Sequence, residues 1–331
     1  MPLPYSTLNR GSLAFAIALI ASQSAFANDY SALFKAKKYD EVEHLASTRL
    51  HAEPNNADAL IAKIDLILME GKENRLDDAS KLAEQCISAN PGNSECQTSL
   101  GNVLGTKAMM GGIMSAIGYA SKIRDAFKKA VELDPKNFAA RDGLLQYYLQ
   151  APSIAGGGKG KAQNLIDDTA KINAAASTLM QAKLDLSEEK FSRAESSALS
   201  VNVAGSEVLG DMQRGVLQNI GGLYVQQKKY ADASRIFQEI QQRFPDKDTG
   251  TYGMARTLQE QGLYKDALSY FEKALAVETH AHTYYRIAQC WQAVSDKVKA
   301  ITTFEKALNF KPQLPKRMKE DAEAQLKTLR S

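Results

Sequence analysis

The chain has 331 residues, 44% of them hydrophobic and 24% charged, an ordinary globular balance that suits two domains or one extended repeat array. Its 41 basic and 38 acidic residues leave a net charge of +3, which argues against the strongly basic face that nucleic-acid binding needs.

Residues 1–27 differ from the rest. Arg10 is their only charge, an apolar run "SLAFAIALIASQS" follows, and Ala25-Phe26-Ala27 supplies small residues at cleavage spacing. The run is too short for a membrane span, which needs about 20 residues. The pattern predicts a secretory signal cleaved after Ala27; the competing reading is an uncleaved N-terminal anchor. No cysteine follows the run, so lipid attachment there has no support. The expectation is a periplasmic or secreted protein with no integral membrane segment once the signal is gone.

Helical segments then end at "HAEPNN" (Pro54) and "SANPGN" (Pro91). Cys86 and Cys96 bracket the second of these ends. In an oxidising compartment they form a disulfide between neighbouring helix ends; otherwise they are two buried thiols packed side by side. Cys290, among apolar helix positions, reads as core.

Next comes a long hairpin around 93–136, ending "AVELDPKN" and carrying about ten residues beyond the basic period. Its insert, "AMMGGIMSAIGYA", places Met109, Met110, Ile113 and Met114 in a stretch too apolar for an idle loop. Either they form a protruding contact surface, or they fold back onto a neighbouring repeat as core. The Gly-rich stretch 153–162, "SIAGGGKGKA", looks like a phosphate-binding loop but follows a helix and ends in Ala162 rather than Ser or Thr. It predicts a turn joining two helices of one hairpin, with Lys159 and Lys161 available for at most a weak anion contact.

The last hundred residues repeat. Ala233-x3-Phe237, Ala267-x3-Phe271 and Ala300-x3-Phe304 recur with Phe spacings of 34 and 33. Upstream lie Ile220-Gly221-x2-Tyr224, Met254-Ala255-x2-Leu258 and Ile287-Ala288-x2-Trp291, and Pro245 and Pro312 close two of the units. These residues resemble the tetratricopeptide repeat, a helical hairpin with a period near 34. The resemblance is specific in the last three units and looser over the rest of residues 30–313. It implies an all-α, right-handed superhelical solenoid of about seven to eight stacked hairpins over 28–313. A helix at 314–331 would cap its end.

In such a solenoid the first helix of each hairpin lines an inner groove. The resemblance places Tyr252, Arg256, Gln259, Tyr285, Gln289 and Gln292 there, side chains suited to holding a peptide. No nucleophile motif or paired carboxylates stand out. His280 and His282 have no Cys or carboxylate at ligand spacing, so neither metal nor cofactor is expected. The expectation is a non-enzymatic scaffold that binds a protein or peptide of an envelope assembly, its oligomeric state open. The alternative is an envelope accessory protein that binds glycan or lipid, assisting a cell-wall enzyme.

Overall fold

The structure, a computed structural model, describes residues 30–203, 205–311 and 313–331, and at Ile113 the backbone alone. Residues 1–27, read as a signal, and the closing Pro312 lie outside the described residues. Among the described residues the chain is all helix. α1 (30–35) pairs with α2 (Tyr39–Ala52), α3 (Ala57–Glu70) with α4 (Leu76–Ala89), and α5 (Ser94–Met110) with α6 (Gly112–Leu133). Then α7 (Phe138–Gln150) pairs with α8 (Lys159–Ala170), α9 (Ala174–Ser187) with α10 (Phe191–Ser200), and α11 (Glu207–Gln226) with α12 (Tyr230–Arg243). The last hairpins are α13 (Thr249–Glu260) with α14 (Tyr264–Val277) and α15 (Ala281–Ala293) with α16 (Lys297–Asn309), followed by α17 (Lys316–Arg330).

Local sequence sets both kinds of boundary. Asn56, Asn93, Asn137 and Asn173 stand before α3, α5, α7 and α9, and each side chain accepts a backbone N–H from the first turn. Each such cap contributes about 1 kcal/mol by satisfying an otherwise orphaned donor. Within hairpins the turn passes through a left-handed residue: Lys37, Glu189, Lys228, Gly262 and Ser295. The residue after each one donates its N–H five residues back, as Lys229 does to the Tyr224 carbonyl and Asp296 to the Trp291 carbonyl. Lys228, Gly262 and Ser295 thus recur at the 34- and 33-residue period of the phenylalanines.

The stack is held by bulky residues set between small ones. The Phe237 ring of α12 lies between Gly221 of its own hairpin and Gly253 of the next, and a Cβ on either glycine would overlap it. Phe127 of α6 sits in the same way between Gly101 and Gly143. In the later hairpins alanine replaces glycine, and Phe271 and Phe304 are fully buried among Ala255, Ala267, Ala288 and Ala322. Close backbone approach on both sides of a ring makes the interior dense.

The superhelix closes on itself. Lys35 at the end of α1 reaches Glu207 of α11 at 2.9 Å, and Lys37 reaches Glu278 after α14 at 3.2 Å. At the other end α17 buries Ala322 and Leu326 against Tyr285 and Phe304 and leaves its charged side exposed. No described helix is long and apolar enough to cross a membrane.

Two sequence features take a sharper form than expected. The Gly-rich stretch is shorter than 153–162, because α8 already begins at Lys159. The turn is tied down: Gly156 and Gly158 have positive φ, the Tyr147 hydroxyl donates to the Ala155 carbonyl, and the Gly158 N–H donates to Tyr148 at 2.8 Å. Lys161 is spent on the Gly156 carbonyl at 3.0 Å and Lys159 on Glu188 at 3.3 Å. The long hairpin breaks at Gly111–Gly112, where Gly112 has φ 76°. Its tip leaves Met109 82%, Met114 80% and Ile117 67% exposed, with Met110 also exposed. Below them Tyr119 packs against the stack under the Lys107 ammonium.

Candidate functional site

First helices of successive hairpins stand side by side, each of α3, α5, α7, α9 and α11 packing on the next, and together form a wall as far as α13. Between α9, α11 and α13 this wall opens into a cleft of about 510 Å³ lined by Gln218, Asn219, Gln226, Tyr252 and Arg256. Gln218, Asn219 and Gln226 are exposed. The Tyr252 ring stands edge-on to Phe271 at 5.6 Å and to His282 at 4.9 Å, which fixes its orientation. Burial raises the Tyr252 hydroxyl above the usual phenol range. His282 is pushed down to about 4 by burial and by His280, Arg286 and Arg256, so it is a neutral imidazole near neutral pH.

The six sequence-placed residues divide. Tyr252 and Arg256 line the cleft. Gln259 is buried and donates to the Arg286 carbonyl at 3.4 Å. Tyr285 is buried too; its hydroxyl donates to Asp321 of α17 at 2.7 Å and accepts from Gln289. Gln292 donates to Gln325 of α17 at 2.8 Å. The C-terminal helix therefore occupies the groove at its last turn, and the open part begins one hairpin earlier. Gln218 stands 34 residues before Tyr252, as Tyr285 stands 33 after it. Extending the repeat register back by one unit would have found it.

Several polar atoms on this wall are buried without a hydrogen-bond partner: Nε of Arg214, Arg256 and Arg286, and Oε1 of Gln259. A cleft of about 480 Å³ beneath α1 is lined by Asp58, Asp65, Glu95 and Glu207, with Lys35 and Lys247. In this second cleft four carboxylates outnumber two ammonium groups.

Asp65 gives this acidity a measurable consequence. Burial, and then the neighbouring Glu95, push its carboxyl up to about 6 from about 3.8. The folded protein holds this proton more tightly than the unfolded chain, so the stabilising contribution is complete below pH 4 and is lost as pH rises through 6. Asp65→Asn is expected to raise unfolding free energy at pH 7.5 by on the order of 2 kcal/mol and to change little at pH 4. Urea titrations at the two pH values measure it; an equal gain at both would contradict the assignment.

The structure joins Cys86 and Cys96, on α4 and α5, by a disulfide with sulfurs 1.97 Å apart, and buries Cys290 as a free thiol. His280, expected to lack carboxylates at ligand spacing, stands 3.8 Å from Asp248 and 3.6 Å from Glu278. Asp248 comes from the previous hairpin, a proximity that linear spacing does not reveal.

Tetratricopeptide repeat family models match residues 216–247 and 253–279. Among solved structures, yeast Tom70 is similar at 15% identity and a TM-score of 0.56, over 83% of this chain and 57% of that one. A chain of the Cut9–Hcn1 hetero-tetramer of the APC/C has 16% identity and a TM-score of 0.45, over 92% of this chain and 55% of that one. A tetratricopeptide repeat protein from Parabacteroides merdae has 16% identity and a TM-score of 0.45, over 89% and 100%. This chain therefore spans little more than half the length of the Tom70 and Cut9–Hcn1 chains. Comparison with curated proteins gives no match. The Tom70 likeness establishes the fold, a solenoid of stacked helical hairpins.

Proposed function

We propose that the protein is an exported, non-enzymatic docking scaffold, working in the periplasm of a Gram-negative bacterium. Its concave face between α9 and α13 holds an extended peptide or a helix of an envelope assembly. The observation that carries this reading is the open cleft of about 510 Å³ lined by the exposed amides of Gln218, Asn219 and Gln226 with Tyr252 and Arg256. A bound backbone offers carbonyls and N–H groups to these amides, and an acidic side chain suits Arg256. The sequence pattern of residues 1–27 supports export.

The test is affinity capture from envelope extract with the wild-type protein, Arg256→Glu in the cleft, and Lys297→Glu on the outer surface. The wild type and Lys297→Glu are expected to retain the same polypeptide, and Arg256→Glu to retain at least tenfold less. Equal retention by all three would end the groove reading. A second reading, a lipid-contacting accessory protein, draws support from the exposed Met109, Met110, Met114 and Ile117 tip. In the same experiment it predicts retained lipid and no polypeptide. A glycan platform has less support, since the Trp291 ring is covered by the Lys299 ammonium at 4.2 Å.

A further inference from the structure

We infer that Asp248, Glu278 and His280 form a binding site for a divalent transition metal of the zinc type. Glu278 and His280 flank the connection between α14 and α15. Both have extended backbone, with φ −147° and −135°. Two residues apart on extended chain, they put their side chains on one side. The stack then brings the start of α13 against that side. There Asp248 is 6% exposed, and its carboxylate caps no helix N–H. It accepts no hydrogen bond from the described residues; its recorded polar contact is His280 Nε2 at 3.8 Å.

The three donor atoms lie within 4.8 Å of one another. With His280 Nε2 3.8 Å from Asp248 and 3.6 Å from Glu278, a point equidistant from all three lies about 2.1–2.4 Å from each. Zinc binds imidazole nitrogen and carboxylate oxygen at about 2.0–2.2 Å, so the side chains need close by only a few tenths of an ångström. One imidazole with two carboxylates is a donor set that suits zinc better than calcium or magnesium, which prefer all-oxygen shells. The His280 ring is also held, stacked on His282 at 4.9 Å with the planes 14° apart. A desolvated carboxylate with no donor of its own, facing an oriented imidazole, is an arrangement a cation completes.

Two cations, Lys37 and Arg214, already stand near. Lys37, in the left-handed turn between α1 and α2, contacts Glu278 at 3.2 Å. A divalent ion displaces this ammonium, so metal binding competes with the contact that ties the N-terminal hairpin to the far end of the superhelix.

The test is calorimetric titration of the full chain, freed of metal by chelator, with Zn²⁺ alone. Co²⁺ absorption serves as a ligand-field reporter, and circular dichroism checks folding. One ion per chain is expected. Asp248→Asn, Glu278→Gln and His280→Gln should each weaken binding at least tenfold. His280→Gln should also abolish the Co²⁺ visible band. Lys37→Met keeps all three ligands and removes the competitor, so it should bind several-fold tighter. Absence of saturable binding in both wild type and Lys37→Met would overturn the site, as would unchanged affinity in a folded His280→Gln.

Discussion

Phe237→Ala is expected to lower the unfolding free energy by about 3–5 kcal/mol, the range for removing a fully buried phenylalanine. The ring fills the space between α11, α12 and α13, and it is backed by Ile220, Ile236 and Ile240. Neither neighbouring helix can move in to fill the void without leaving its other partners. Gly253→Ala attacks the same contact from the opposite side: the added methyl overlaps a ring that Gly221 prevents from retreating, and overpacking of this kind costs about 1–3 kcal/mol. The double variant decides whether the two residues act together. With the ring gone, the methyl enters the vacated space, so Phe237→Ala/Gly253→Ala should be less destabilised than the two single losses added together. Urea unfolding of the four proteins gives the coupling. Strict additivity would mean that the ring and the glycine do not meet. Val298→Ala, at a 75% exposed position, is the control and should change stability by less than about 0.5 kcal/mol.

The second large effect is expected at Cys86 and Cys96. The bond closes a short loop, with a sequence separation of 10, across the junction of α4 and α5. Restricting the unfolded chain in this way contributes about 2–3 kcal/mol in the chain-entropy picture. Reduction, or replacement of both residues by alanine, should lower stability by that amount while leaving the helix content of the folded state unchanged. Cys290 gives the internal comparison. Burial pushes its thiol up to about 12, so it should stay unreactive toward a thiol reagent until the protein unfolds. Unfolded in denaturant without reductant, the chain should titrate one thiol; three would contradict the bond.

Much of the fold was legible because a repeat writes the same packing problem several times. Phe237, Phe271 and Phe304 share one role, and the 34- and 33-residue intervals announce it. The turns were less legible. Lys228 and Ser295 adopt the left-handed conformation that Gly262 adopts, but their side chains give no sign of it. The groove was half visible. Tyr252 and Arg256 follow from position within the repeat, whereas the loss of Tyr285 and Gln292 to α17 follows from where a non-repeating helix docks. Contacts set by superhelical closure were not legible at all. Nothing periodic connects Lys37 to Glu278, or Asp248 to His280, because the pitch of the stack is the sum of many small packing angles.

The open stretch of the concave face is best tested by site-specific photocrosslinking in intact cells, with the probe at Gln218 inside the cleft and, separately, at Val298 on the outer surface. A discrete polypeptide adduct at 218 and none at 298, with the 218 adduct lost when Arg256→Glu is added, is the expected result. Adducts of equal yield at both positions, or adducts at 218 that contain no polypeptide, would contradict a groove that binds protein.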